Sequence, residues 1–301
     1  MKLTILGCHS ATPRWDANPT AQVLDVKGHL FLIDCGEGTQ IQLRRFKIKF
    51  ARIKHIFISH LHGDHFFGLV GLISTFRLLG RSSELHIYGP KGIKEAITLQ
   101  LKLGDSWTNY PLLFHELDSK EPQLLFEDEK VSVTTIPLKH RVYTNGFLFQ
   151  EKVGERELNV EKARALKVEM SYFRKIKQGE DGVSSDGTIV PNAEITFDPP
   201  SPKSYAYCSD TEYFPQIIPQ ISNATTLYHE ATFLEKDHHL AIKTKHATAK
   251  EAASIAKNAE VGTLILGHYS GRYGNYEQFR TEAQELFGRV ELAEDGKVFQ
   301  I

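Results

Sequence analysis

Residues 53–65 are IKHIFISHLHGDH, a stretch that holds three imidazoles and one carboxylate within the six positions from His60 to His65. Its first part, Ile53 to Ile58, predicts a buried strand, and the apolar stretch from Phe66 to Leu79 predicts a helix. The cluster therefore lies on a strand-to-helix loop. The alternative is a solvated His-rich loop or a tag-like tract, but a tag lies at a terminus and lacks a flanking strand and helix.

The spacing His-x-His-x-Asp-His in this loop favours metal binding. Alternate side chains of an extended segment point to one side, and the last two residues of the cluster point to another. This arrangement suits two neighbouring metal ions better than one. Imidazole nitrogen and carboxylate oxygen without a thiolate favour zinc, with manganese or iron as alternatives. The sequence therefore predicts a metal centre on the loop.

The same run has the form of the HxHxDH motif of the metallo-β-lactamase superfamily, and other segments resemble motifs of its ribonuclease Z family. These segments follow in family order: Asp34 to Gln40 (DCGEGTQ), Pro137 to His140, Tyr207 to Thr211, His229 to Phe233 (HEATF), His246 to Ala249, and Gly267 to Tyr273. The HxHxDH run alone is specific only to the superfamily, whereas DCGEGTQ, HEAT and HxT together are specific to this branch. One departure is Ala247, which stands where the family often has Ser.

The resemblance implies an α/β fold, the αββα four-layer sandwich of the metallo-β-lactamase fold, as a single domain over residues 1–301. The apolar pattern agrees, because strands dominate the start of each half of the chain and helices interleave with them. Helical periodicity predicts these helices: Gly38–Arg45, Phe67–Leu79, Ile93–Leu103, Ala249–Ala259 and Tyr276–Leu286.

Residues 152–202 differ from the rest in composition, being rich in Lys, Arg, Glu, Gly, Ser and Pro with little apolar periodicity. A loop of this length inside a compact domain is functional or forms its own module. At this position the ribonuclease Z family has a protruding arm that grips the elbow of transfer RNA, and the resemblance implies phosphate contacts from basic side chains. Those side chains are Lys162, Arg164, Lys167, Arg174, Lys175 and Lys177. The family's Gly-Pro-rich arm tip is replaced by Val168 to Tyr172, and a disordered surface insertion is the alternative.

The resemblance also implies roles for the site residues. His60, His62 and His140 would hold one ion, Asp64, His65 and His268 the other, and Asp210 would bridge both. Asp64 would in addition orient the attacking water, and Glu230 would hold His246 ready to protonate the leaving 3′ oxygen. Asp34 would hold a ligand imidazole, and Arg272 would clamp a phosphate. A salt bridge without a catalytic role is the alternative for Glu230.

Composition limits the class of protein. Hydrophobic residues make up 41% of the 301 positions, which supports a substantial core, yet no apolar run is long enough for a membrane span. The start, Met1 to Gly7, predicts a strand rather than a signal peptide. Three sparse cysteines, Cys8, Cys35 and Cys208, argue against a disulfide framework and for a reducing cytosol. The net charge of −1 supports nucleic-acid binding only weakly.

Together these inferences predict a cytoplasmic endoribonuclease with two zinc ions per chain. It would remove the 3′ trailer from precursor transfer RNA by phosphodiester hydrolysis and leave a 3′-hydroxyl on the transfer RNA. The family resemblance implies a homodimer. One alternative is a hydrolase of the same fold for small phosphodiesters or sulfate esters, which would need no basic arm. Another is a noncatalytic RNA-binding scaffold, which would not need the complete ligand set.

Overall fold

The structure is a computed structural model that describes residues 1–301. The chain forms two compact units, one made of Met1–Gln150 together with Lys203–Ile301 and the other of Glu151–Pro202. None of the helices combines the length and the apolar character needed to span a lipid bilayer.

The larger unit contains two seven-stranded sheets, and the first sheet comes mainly from the N-terminal part of the chain. Its strands are β1 (Lys2–Gly7), β2 (Ala21–Val26), β3 (His29–Ile33), β4 (Ile53–Phe57), β5 (Leu85–Pro90), β6 (Leu112–Leu117) and β18 (Val298–Gln300). They lie in the order β18-β1-β2-β3-β4-β5-β6. The pairs from β18 to β3 are antiparallel, and those from β3 to β6 are parallel.

The second sheet has a similar division between antiparallel and parallel strands. Its strands are β7 (Leu124–Glu127), β8 (Val131–Pro137), β9 (Asn145–Glu151), β14 (Ser204–Cys208), β15 (Thr226–Glu230), β16 (Thr263–Gly267) and β17 (Val290–Leu292). They lie in the order β17-β16-β15-β14-β9-β8-β7, and β14 to β17 are parallel. Each sheet therefore contains four adjacent parallel strands whose carboxyl ends share one edge, the usual place for a site in such sheets.

The helices of the larger unit each bury part of their surface. They are α1 (Thr39–Arg45), α2 (Gly63–Phe66), α3 (Leu69–Leu78), α4 (Ile93–Leu103), α8 (Ile218–Ile221), α9 (His238–Thr244), α10 (Ala249–Asn258) and α11 (Glu277–Gln284), with 3₁₀ turns at Phe50–Arg52, Pro215–Ile217 and Glu235–Asp237. A capping box fixes the start of α10, because the Thr248 hydroxyl accepts from the Glu251 amide while the Glu251 carboxylate accepts from the Thr248 amide.

Aromatic side chains fill the space between the two sheets. The ring centroids of Phe57 on β4 and Phe147 on β9 lie 5.4 Å apart, and those of Phe31 and Phe149 lie 5.5 Å apart. Alternate residues of the first sheet, such as Leu32, point to the opposite face and form a separate buried cluster with α3 and α4. The layers are therefore helix, sheet, sheet and helix, and the predicted αββα sandwich is confirmed.

The smaller unit has a core of its own. Its elements are β10 (Glu157–Leu158), α5 (Val160–Ala165), α6 (Phe173–Lys177), β11 (Gly182–Val183), β12 (Ile189–Val190), α7 (Asn192–Ile195) and β13 (Thr196–Phe197), with a 3₁₀ turn at Met170–Tyr172. The buried apolar residues are Ala163, Val168, Ile176, Val190 and Ile195. The Asn192 side-chain amide, also buried, donates to the carbonyl oxygens of Ile176 and Glu180. These contacts describe a small folded module, which differs from the disordered alternative.

Candidate metal centre

The residues of the centre lie on loops that follow the carboxyl ends of strands in both sheets. The loop after β4 carries His60, the loop after β14 carries Asp210, and His268 directly follows β16. Asp34, Asp210 and His268 have left-handed φ angles of 55°, 57° and 60°. Residues other than glycine seldom adopt this conformation, and such strained positions cluster at functional sites.

The seven sequence-predicted ligands come together as two groups that share one carboxylate. The first group is His60, His62 and His140, and the second is Asp64, His65 and His268. The Oδ2 atom of Asp210 lies 3.5 Å from Nε2 of His60 and 3.8 Å from Nε2 of His140. Its Oδ1 atom lies 3.1 Å from Nε2 of both His65 and His268. The two oxygens of Asp210 thus face different groups.

Hydrogen bonds through Nδ1 fix the rings of two histidines and turn their Nε2 atoms inward. The Nδ1 atom of His65 donates to Oδ2 of Asp34 over 2.7 Å, and Nδ1 of His140 donates to the carbonyl oxygen of Lys245 over 2.7 Å. Because these oxygens can only accept, the neutral rings keep their proton on Nδ1 and leave Nε2 as an acceptor. Nε2 of His140 is buried and has no hydrogen-bond partner. An unpaired nitrogen beside a buried carboxylate is compatible with a bound metal ion.

Asp34 links the two sheets at this centre. Besides the imidazole of His65, its carboxylate accepts from the Ser59 amide at 2.7 Å and from the Tyr207 hydroxyl at 2.6 Å. Burial, and next the charge of Asp34, raise the pKa of Tyr207, so the phenol stays a proton donor. Sequence reasoning placed Tyr207 in a motif but gave it no role, because a tyrosine at an apolar strand position gives no separate signal. The orientation of His65 therefore depends on residues from both sheets.

Glu230 and His246 form a buried ion pair beside the two groups. Nδ1 of His246 donates to Oε1 of Glu230 over 2.7 Å and lies 4.0 Å from Oδ2 of Asp210. Burial alone would lower the pKa of His246, but Glu230 outweighs burial and raises that pKa to about 9. Burial alone would likewise raise the pKa of Glu230, and the facing charge of His246 lowers it. The imidazole is therefore protonated at neutral pH and carries its second N–H on Nε2.

Thr232 connects this ion pair to the second ligand group. Its hydroxyl donates to Oε2 of Glu230 over 2.6 Å and lies 2.9 Å from Nδ1 of His268. The Thr211 amide donates to the other oxygen of Glu230 over 2.9 Å. The buried Glu230 carboxylate is therefore fully hydrogen-bonded, as a buried charge must be to remain ionised.

A cleft of about 370 Å³ lies over these residues, and Asp64, Asp210 and His246 contribute to its wall. A second pocket of about 460 Å³ shares Asp64 with it. Arg141 is the one Arg or Lys among the residues that line the cleft. Sequence reasoning missed Arg141, although it directly follows His140 in a motif that was identified. Its guanidinium places a positive charge in the wall of the cleft.

The five predicted substrate-binding residues are not among those that line this cleft. The Arg272 guanidinium lies 3.9 Å from Oδ1 of Asp237 and 5.6 Å from the ring centroid of Phe233, a cleft residue. The remaining four, all exposed, belong to the smaller unit: Lys167, Arg174, Lys175 and Lys177. Lys175 is engaged there, since its Nζ atom lies 3.8 Å from Oε2 of Glu180.

The chain resembles known proteins over its whole length. Ribonuclease Z from Bacteroides thetaiotaomicron is 46% identical over 300 residues, which cover 100% of this chain and 95% of that protein. The crystal structure of the short form of human tRNase Z has a TM-score of 0.72 at 28% identity and covers 100% of this chain and 99% of that chain. A metallo-β-lactamase-fold protein from Bacillus subtilis, 20% identical, has a TM-score of 0.70 with coverage of 99% and 98%. A family model described as anti-Pycsar protein Apyc1 matches residues 1–155. By the match over residues 1–155, the chain belongs to the family that the Apyc1 model describes. Over its whole length, it belongs to the ribonuclease Z family of metallo-β-lactamase-fold proteins.

Proposed function

We propose that the protein is an endoribonuclease that removes the 3′ trailer from precursor transfer RNA and leaves a 3′-hydroxyl on the transfer RNA. The observation that carries this proposal is the placement of the Glu230–His246 pair beside two ligand groups that share Asp210. Membership of the ribonuclease Z family supports the choice of RNA as substrate. Phosphodiester hydrolysis needs an activated water, charge neutralisation and a protonated leaving group, and the cleft offers residues for each requirement.

The cofactor that we propose is a pair of zinc ions. His60, His62 and His140 would hold one, Asp64, His65 and His268 the other, and Asp210 would contact both. Nitrogen and oxygen donors without thiolate suit zinc. When bound, the two ions lower the pKa of an attacking water and neutralise charge on the phosphate.

The side chains of the cleft complete the reaction. Asp64 orients the water from the cleft wall, and Arg141 attracts the phosphate. His246 holds a proton that it can give to the leaving 3′ oxygen, because Glu230 keeps the imidazole charged and fixes its orientation.

The direct test is incubation of the purified protein, after elemental analysis, with a precursor transfer RNA that carries a 3′ trailer. We expect one cut, a transfer RNA ending in a 3′-hydroxyl and a trailer beginning with a 5′-phosphate. Mature transfer RNA without a trailer is the matched control. Turnover of small phosphodiesters without cleavage of the precursor would instead favour the small-substrate alternative.

The smaller unit is proposed as the arm that binds transfer RNA, within a single metallo-β-lactamase-fold domain. Its exposed cations, among them Lys162, Arg164 and Lys167, supply phosphate contacts. It is also inserted at a point that tolerates removal, because β9 and β14 pair antiparallel with Gln150 opposite Ser204. Residues paired in this way are neighbours, so a short hairpin loop can join them.

Deletion of Val153 to Pro199, bridged by a short Gly/Ser linker, should therefore weaken binding and processing of precursor transfer RNA. Hydrolysis of a small chromogenic phosphodiester should survive, since none of the predicted metal ligands lies in the deleted segment. Gel-shift titration and steady-state kinetics measure the two effects. Equal loss on both substrates would mean that the segment is structural.

We further propose that two copies of the chain form a homodimer through exposed apolar residues of α1 and of the end of α3, on the helical side of the first sheet. Ile41 on α1, with 63% of its surface exposed, and Leu78 and Leu79 at the end of α3, at 84% and 50%, line one shallow pocket. Adjacent exposed apolar side chains mark interaction surfaces. Sedimentation should give twice the 34.1 kDa mass of one chain. Leu78→Asp should yield monomer, whereas Leu103→Asp on α4 should not; a monomeric wild type would refute the proposal.

The cytosol is the compartment that we propose for the enzyme. All three cysteines are free and buried. Burial raises the pKa of Cys35 to about 12, so this thiol is unreactive. Free cysteines without disulfide bonds are usual in a reducing compartment. Cell fractionation with an antibody to the protein tests this location.

A further inference from the structure

Four histidines outside the candidate metal centre lie on neighbouring strands of the first sheet. His29, His55, His86 and His115 occupy β3, β4, β5 and β6. His55 is in register with His86, and His115 is in register with Tyr88, two residues further along β5. Side chains in such positions share one face of a sheet. The ring centroids of His55 and His86 lie 4.9 Å apart, and those of His86 and His115 lie 5.2 Å apart.

Two of these rings point nitrogens at each other. Nδ1 of His86 lies 3.0 Å from Nε2 of His115. Nε2 of His86 donates to Oε1 of Glu84 over 3.2 Å. Because a carboxylate can only accept, the neutral His86 ring has its proton on Nε2 and a lone pair on Nδ1. A carboxylate that orients an imidazole in this way is the usual partner of a metal-binding histidine.

His55 adds an unsatisfied polar atom to the same place. Its Nδ1 atom is buried and has no hydrogen-bond partner. His55 and His86 both line a pocket of about 600 Å³, with Tyr88 and Phe126 among the other lining residues. A buried polar atom without a partner calls for an unseen hydrogen-bond partner, such as a water molecule or an ion. His115 is not among the residues that line this pocket.

We propose that His86 and His115 chelate one divalent transition-metal ion, with water completing the coordination shell and one of these waters bonded to Nδ1 of His55. Imidazole ligands favour zinc, nickel or copper over magnesium or calcium. Two nitrogens on a tetrahedral zinc ion are roughly 3.3 Å apart, so the 3.0 Å separation here needs only a small adjustment. β6 is an edge strand, and the ion would join it to β5 through side chains.

The proposed site shares no residue with the candidate metal centre, so its ion can be counted separately. Metal-depleted full-length protein is dialysed to equilibrium against graded zinc, and bound zinc per chain is measured by elemental analysis. Wild type should bind one more ion than His115→Gln. Glu84→Gln should bind that ion about 10–100-fold more weakly. His239→Gln, which removes an exposed histidine outside both sites, should match wild type.

Thermal unfolding gives a second measurement. Zinc should raise the Tm of wild type more than that of His115→Gln, because a ligand that binds only the folded state stabilises it. Glu84 is 58% exposed, so Glu84→Gln preserves the fold and tests the site even if His115→Gln unfolds. Hydrolysis of a small phosphodiester should be equal in all variants. Equal zinc counts in wild type, His115→Gln and Glu84→Gln would refute the site and leave a hydrogen-bonded histidine pair only.

Discussion

Asp64→Ala should abolish hydrolysis and leave the fold intact. Oδ2 of Asp64 lies 3.3 Å from Nε2 of His268 and 3.5 Å from Nε2 of His65, and its side chain is only 7% exposed at the cleft wall. Its loss removes one proposed ligand, which is also the group proposed to orient the water. Because bound metal ions contribute several kcal/mol of transition-state stabilisation, we expect a fall in kcat/KM of more than about 10³-fold.

The measurement is cleavage of labelled precursor transfer RNA, with circular dichroism and elemental analysis on the same sample. Glu95→Ala removes an exposed carboxylate from α4 and should leave the rate unchanged, which controls for loss of negative charge. Full activity in a preparation without bound transition metal would contradict the proposed chemistry.

His246→Ala should depress cleavage by about 10²–10⁴-fold, the usual contribution of a general acid. The imidazole is charged because Glu230 raises its pKa to about 9, so wild-type activity that depends on this proton should fall as pH rises through that value. Binding of precursor RNA should be nearly unchanged. A substrate with a better leaving group should recover much of the lost rate, since its departure needs no proton.

Glu230→Gln provides the companion measurement for this proton. It should reduce the rate less than His246→Ala and in the same direction, because the imidazole loses its charged partner but keeps a hydrogen-bond acceptor. Metal content distinguishes the roles of His246, which also lies near Asp210 and His268. If His246→Ala removes one ion, His246 is a ligand and the assignment as proton donor is wrong.

The fold was predictable where an element is long enough to show its period. Ile93–Leu103 was predicted as a helix within those bounds, and α4 has them. The strands β6 and β7 were missed, and each lies at the edge of its sheet. The sequence of β6, Leu112–Leu117, shows no alternation of apolar and polar residues. The core of the smaller unit was missed for a related reason. Its elements are two to six residues long, too short to display a helical or strand period.

The grouping of the candidate ligands was predictable as far as local motifs reach. The chemistry of His60, His62 and His65 follows from a single loop, and the family resemblance places Asp210 and His268 in the same site. Contacts between motifs were not predictable in the same way. Arg141 occupies the cleft and Tyr207 reaches the opposite sheet only because of how strands distant in sequence pack together.

The hydrogen bond from Tyr207 to Asp34 couples the packing between the two sheets to the candidate metal centre. The hydroxyl of Tyr207 in the second sheet and the imidazole of His65 meet on the same oxygen of Asp34, which follows the first sheet. A slip between the layers would therefore turn His65 before it opened the hydrophobic interior. Core substitutions far from the cleft should thus misalign the proposed metal ligands while the chain is still folded. The rate of catalysis should therefore fall before thermal unfolding shows any loss of stability.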